Sequence, residues 1–196
     1  MSSTKNLKND HITIRRVRNI AQKCSENLYA NKKVPLEHVE IISVIIEEFV
    51  DNFHHGKEET AYFPETKVKD GLAEDVRKFL IEHELGRRIA KMLRREINVL
   101  KENRGKEDNK VLPYNESKLN EPVARFLKSY AVFIDDHTGK EDKFFDLIES
   151  GNLLSEEEDK GLLKHYEACK NQVGGEIRIK EMLRLINYLE EQNWMK

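Results

Sequence analysis

The stretch His54-His55-Gly56-Lys57-Glu58-Glu59-Thr60-Ala61-Tyr62-Phe63-Pro64 decides how this chain reads, because it is written twice. Further along stands His137-Thr138-Gly139-Lys140-Glu141-Asp142-Lys143-Phe144-Phe145, with His, Gly, Lys and Glu at the same offsets. A second pair of segments matches too: Asp10-His11-Ile12-Thr13-Ile14-Arg15-Arg16-Val17 against Glu82-His83-Glu84-Leu85-Gly86-Arg87-Arg88-Ile89. Self-similarity of this kind points to a duplicated unit. The chain reads as two helical hairpins of one origin, each with a lone His on its first helix and His-x-x-x-Glu on its second.

Helical geometry says where these groups point. Residues four apart share a stripe, so His54 lies with Ile42, Ile46 and Val50 on the apolar face, and Glu58 follows one turn on. His55 shares its stripe with Glu48, Asp51 and Glu59, which reads as a solvated face. His137 and Glu141 fall among Tyr130, Phe133, Ile134, Phe144 and Phe145. His83 follows Val76, Phe79 and Leu80, and His11 precedes Ile14, Val17 and Ala21. Four imidazoles and two carboxylates are thus expected to converge inside, with His55 and Glu59 outside.

Composition agrees with a helical protein. The 196 residues include only 9 Gly and 4 Pro, few chain-breakers for that length, and 34 Lys+Arg stand against 36 Asp+Glu. An average soluble chain carries about 12% Gly plus Pro. The near-balanced charge predicts no affinity for nucleic acid. No apolar run is long enough to span a membrane. The polar first ten residues lack the apolar stretch of a secretory signal, which leaves a cytoplasmic location as the expectation. Cys24 and Cys169 are too few for a zinc-thiolate site or a disulfide framework.

Periodicity predicts helices over residues 5–29, 35–62 (ended by Pro64), 72–100 and 120–149, the last capped by Asn120 with Pro122 in its first turn. Residues 101–120 read as a long charged linker. Ser155 and Glu158 form a capping box for a fifth helix, and Gly174-Gly175 separates it from an amphipathic stretch from Ile177 to about residue 191. A second helix of some 27 residues would be about 40 Å long, and such helices with short connections pack as an antiparallel bundle. The expected division is residues 1–150 for the bundle and 151–196 for a helical extension packed on it.

Buried without partners, the two carboxylates cost several kcal/mol or stay protonated, and each imidazole needs a hydrogen bond. Metal ions resolve the whole set. Six such ligands suit two octahedral ions, each with two imidazoles, sharing both carboxylates as bridges. The imidazole-carboxylate set without thiolate fits iron, manganese or zinc, and two ions with open positions suit iron best. The i, i+4 order differs from the Glu-x-x-His of ferritin-like di-iron proteins.

On these residues the chain resembles the hemerythrin family, specifically its HHE cation-binding domain. The motif from His54 to Pro64 is similar to the family's His-x-x-Lys-Glu-Glu-x-x-x-Phe-Pro, supported by Glu82-His83 and by His137 with Glu141; together these span residues 10 to about 146. The resemblance implies an all-α fold, an up-down-up-down four-helix bundle around a non-haem di-iron centre of the Fe-O-Fe type. Carried over, the metal ligands are His11, His54, Glu58, His83, His137 and Glu141. Oxygen-carrying members hold five histidines where four are assigned inward here, which leaves the second iron more open. The fourth helix also has Phe144-Phe145-Asp146 where a second Phe-Pro would stand.

The expected function is binding of dioxygen or nitric oxide for carriage, storage or sensing. The alternatives are a di-iron redox enzyme, reducing peroxide or nitric oxide or oxidising ferrous iron, and an iron-responsive interaction module. For the last, a protein partner or a second copy of the chain would dock on the segment after Gly151. His38 and His165 read as structural, and Arg15 and Arg87 as carboxylate-orienting, as holding an anion at the bundle mouth, or as solvated. Gly56 and Gly139, paired inside the two ligand turns, suggest close helix approach or a ligand channel.

Overall fold

The computed structural model describes residues 2–69, 71–104 and 116–196, and among these every element is helical, with no strand. Helix α1, Ser3–Tyr29, opens on Ser2, whose hydroxyl accepts from the Lys5 amide and so satisfies one of the free N–H groups of a helix start. The second helix, α2, is composite. It is α-helical over Leu36–Ile45, π-helical over Ile46–His55, π-helical again over Glu58–Tyr62, and closes with a short α-helical turn, Phe63–Thr66. Pro64 therefore does not end it. It falls in the first turn of that closing segment, where its fixed φ suits a helix.

Helix α3 is Ala73–Arg104 and α4 is Glu116–Ser150. Both run into the stretch predicted as a linker, whose middle, residues 105–115, lies outside the described residues. Asn120 is consequently not a cap, and Pro122 sits inside α4. Proline in a helix interior forfeits one hydrogen bond; here the buried side chains Val123, Ala124 and Leu127 anchor the turn that follows.

Helix α1 packs along α4, α4 along α3, and α2 lies against both α1 and α3. The buried apolar residues form two clusters. One gathers Ile14, Val17, Ile42, Ile46, Phe49, Leu93, Leu127 and Ile134. The other gathers Leu7, Tyr62, Phe63, Val76, Phe79, Phe144, Phe145 and Ile148. Along each of the four helices the chain passes from one cluster to the other at its histidine, so the polar groups form a layer between two apolar ends.

Helix α5, Glu156–Gln172, carries the predicted capping box of Ser155 and Glu158. The turn into α6, Gly175–Glu190, needs its glycines: Gly174 and Gly175 have φ of 101° and 74°, in the left-handed region that side chains disfavour. Met182, Ile186 and Leu189 of α6 join the first cluster, and Leu162 and Tyr166 of α5 join the second. His38, expected to be structural, closes the end of the chain. Trp194 Nε1 donates to its Nδ1 at 2.8 Å, which leaves Nε2 to donate to the Tyr188 hydroxyl at 3.0 Å. Among the described residues no helix is long and apolar enough to cross a membrane.

Candidate metal centre

All six residues singled out in the sequence are buried and come together, and a seventh joins them. His11, His54, His83, Glu58 and Glu141 are 0% exposed, His137 is 1% and His55 is 3%. Their donor atoms fall into two groups, each within 4.8 Å across: His11, His54, Glu58 and Glu141 in one, and His55, His83 and His137 in the other. The carboxylates join the groups. Glu58 Oε2 lies 3.4 Å from His54 Nε2 and 3.5 Å from His83 Nε2. Glu141 reaches His11 Nε2 with one oxygen, at 3.3 Å, and His83 and His137 Nε2 with the other, both at 3.3 Å.

Every imidazole is held from behind by a carboxylate at Nδ1. The partners are Asp142 for His11 at 2.7 Å, Asp10 for His54 at 3.2 Å, and Asp51 for His55 at 3.4 Å. Glu59 serves His83 at 2.7 Å and Glu82 serves His137 at 2.8 Å. A carboxylate accepts, so each Nδ1 carries the proton and each Nε2 turns a lone pair inward, the arrangement that orients imidazole ligands. A cation stands behind each of these acids. Arg15 pairs with Asp142, Arg87 with Glu59 at 2.8 Å and with Asp51 at 3.1 Å, Lys57 with Asp10, and Lys140 with Glu82 at 2.7 Å. Arg15 and Arg87 are thus carboxylate-orienting, one of the three roles read for them.

The interior is consequently a cage of acceptors. His11 Nε2 and His54 Nε2 face each other at 3.1 Å. Both Glu58 oxygens, Glu141 Oε2, His55 Nε2 and His137 Nε2 are buried with no hydrogen-bond partner among the described residues. Burial pushes His54, His83 and His137 down from the usual imidazole range and His55 down to about 4, so none supplies a proton near neutrality. Burial pushes the Glu58 and Glu141 carboxyls well up, and for Glu141 the charge of Glu58 adds to it. Glu82 goes the other way: the His137 hydrogen bond first, then Lys140, hold it down at about 2. Inward imidazole lone pairs around two carboxyls that ionise only at a cost in this buried layer are what cations satisfy, so the residues fit a metal pair.

His55 corrects the sequence reading, which placed it and Glu59 together on a solvated face. It stacks on His83, ring centroids 3.8 Å apart, and bonds Asp51, while Glu59 turns to His83 and Arg87. The cause is the helix type. In an α-helix neighbouring residues are turned about 100° apart, so His54 and His55 would face different sides. In the π-helical stretch the Gly56 amide bonds the Asp51 carbonyl five residues back, and that wider turn brings both rings to one side. A signal was present in the sequence. Buried pairs recur at Ile45-Ile46, Phe49-Val50, Phe53-His54, Lys57-Glu58 and Ala61-Tyr62. A strict step of four drifts about 40° per step on an α-helix, too far to stay inward over four steps.

Aromatic rings wall the layer off. Phe133 stacks on His137 at 5.3 Å, Phe63 on His83 at 5.6 Å, and Phe145 lies 5.4 Å from His11. The close helix approach expected at the paired glycines is absent: a Cβ at Gly56 or Gly139 would meet nothing within 4 Å. Close approach occurs instead at Gly86, where a Cβ would stand 2.6 Å from Phe133. Cys24 and Cys169 are free and buried, and burial pushes the Cys24 thiol up to about 12.

Neither the curated proteins nor the solved structures contain a match to the chain. The family model described as the hemerythrin HHE cation binding domain matches residues 2–148, the span that holds all seven converging groups and their outer partners. A duplicated motif, a buried cage of imidazoles and carboxylates, and that match over most of the chain agree, and the protein belongs to the hemerythrin HHE cation-binding family.

Proposed function

We propose that this protein holds two iron ions between its helices and binds a small diatomic molecule, dioxygen or nitric oxide, for carriage, storage or sensing. The observation that carries the reading is the unequal division of donors. His55, His83 and His137 would hold one ion, His11 and His54 the other, and Glu58 and Glu141 would bridge them. The second ion would then have fewer imidazoles and hence room for an exogenous ligand. A reduced non-haem iron pair with an open position supplies reversible capture of a diatomic ligand.

The chain's own residues do the rest. Asp142, Asp10, Asp51, Glu59 and Glu82 fix the ring orientations before any ion enters. Phe63, Phe133 and Phe145 keep water from the layer. Burial holds His54, His55, His83 and His137 below the usual imidazole range, so these four rings are poor proton donors near neutrality. The alternation of the two apolar clusters along α1, α2, α3 and α4 supports an up-down-up-down arrangement for the domain of residues 1–150, with residues 151–196 as an extension packed on it.

Ferrous iron added without oxygen should bind at two equivalents, and admission of air should then give a charge-transfer spectrum that deoxygenation reverses. Two tightly held zinc ions with no optical response of the iron-loaded protein would end the reading. Many turnovers with a reductant would make it an enzyme instead.

A further inference from the structure

The C-terminal helices touch α2 where it is π-helical. Arg178 of α6 forks onto Glu48, Nε to Oε2 and Nη2 to Oε1, both at 2.6 Å. Cys169 of α5 places its sulfur 3.4 Å from Thr60 Oγ1 and 3.9 Å from the Gly56 carbonyl. The ring of Tyr166, also on α5, lies 5.1 Å from Lys57 Nζ. These contacts fall in the first π segment, in the second, and on the two residues between them. The corresponding ligand helix of the other hairpin, α4, is α-helical throughout, and where α2 has His55 it has Thr138, whose hydroxyl donates to the Ile134 carbonyl within its own helix.

π-helical turns are rare and occur mostly singly, because their wider ring of bonds is less favourable than the α-helix. Segments of ten and five residues in one helix therefore need support from outside it. The helices that supply it, from residue 156 on, lie beyond the span matched by the family.

We propose that α5 and α6 form a clamp that holds α2 in its π-helical form and so turns His55 into the metal centre, with Arg178 as the positioning residue. The proposal rests on the metal reading above for its consequence, but not for its geometry. Without the clamp α2 relaxes toward an α-helix, His54 stays inward, and His55 swings toward the outer face that a regular helix gives it.

The test uses the full chain carrying Arg178→Met, with Glu48→Gln as a second variant that removes the other partner should the first fail to fold. In the metal-free protein, amide hydrogen exchange over residues 46–62 should quicken in both variants while that of α4 stays unchanged. In zinc titrations the wild type should take two equivalents, and the variants should hold one of them about tenfold or more weakly, the scale of a lost orienting partner. Placed on a His55→Thr background, Arg178→Met should cause no further loss of zinc affinity. The proposal is overturned if the variants lower the melting temperature yet leave both zinc affinities and the exchange of α2 unchanged. It is equally overturned if the zinc loss persists in full on the His55→Thr background. Should the wild type bind no zinc or iron, the metal reading fails, while the exchange comparison still decides the clamp.

Discussion

The two hairpins repeat each other at the residues that build the site. Asp10, His11 and Arg15 on α1 correspond to Glu82, His83 and Arg87 on α3, and His54, Lys57, Glu58 and Glu59 on α2 to His137, Lys140, Glu141 and Asp142 on α4. Their bonds repeat as well. Within each hairpin the acid of the first helix holds the histidine of the second, and a lysine holds that acid. Between hairpins, Asp142 holds His11 and Glu59 holds His83, each backed by an arginine. The halves differ in three linked respects: α2 is partly π-helical, it carries a fifth inward histidine, and its lysine is buried. Lys57 is 1% exposed, donates to Asn6 at 2.8 Å and lies 4.3 Å over Phe53, whereas the Lys140 side chain is 46% exposed. A symmetric motif therefore yields an asymmetric centre, and the asymmetry enters through backbone form.

The largest expected effect erases the comparison. Glu141 touches imidazoles of both groups, so Glu141→Gln should weaken both metal equivalents by more than about 100-fold, beyond what loss of an outer partner costs. Isothermal titration with zinc checks this, and retention of one tight equivalent would show that the carboxylate serves one half alone. Making the halves alike is the next step down. His55→Thr copies the α4 sequence into α2 and should weaken one equivalent while leaving the other within about twofold.

In the metal-free protein, His54, His55, His83 and His137 are held neutral below their ordinary 6.5, and Glu58 and Glu141 protonated above their ordinary 4.5. Between pH 4.5 and 6.5 the unfolded chain binds up to four protons on those imidazoles that the folded chain lacks. The folded chain keeps two on the carboxyls that the unfolded chain has released. The imidazoles outnumber the carboxyls, so stability should rise with pH across that window, with the carboxyl difference opposing the rise. Urea denaturation from pH 4.5 to 6.5 should show that net rise, and a fall across the window would mean the folded chain keeps protons on the imidazoles. The smallest effects test the glycines. Gly139→Ala and Gly56→Ala meet open space and should each stabilise by up to about 1 kcal/mol. Gly86→Ala drives a methyl into Phe133 and should cost about 1–3 kcal/mol, readable in the same urea series.

Much of this was legible from residue order. The repeat located His11, His54, Glu58, His83, His137 and Glu141, and a step of four on an apolar stripe told His54 and His137 from their neighbours well enough to place them inside. The outer acids were missed, Glu59 being placed on a solvated face, although the repeat carried a signal for four of them: Asp10 and Glu82 precede matched histidines, and Glu59 and Asp142 follow matched glutamates. His55 was assigned to the wrong face because that assignment presumed 3.6 residues per turn. Pro64 and Asn120 were read as boundaries because local preference marks them so, while buried neighbours such as Phe63 and Val123 hold the helix past them.

By itself the sequence determined an all-helical chain, a duplicated hairpin and a layer of imidazoles and carboxylates between two apolar ends. These follow from periodicity and residue chemistry, which act within a few turns of one helix. Only the tertiary structure decided how many imidazoles enter the layer. That number depends on the hydrogen-bond register of α2, and the contacts that bear on the register, from Tyr166, Cys169 and Arg178, come from more than 100 residues away in the chain.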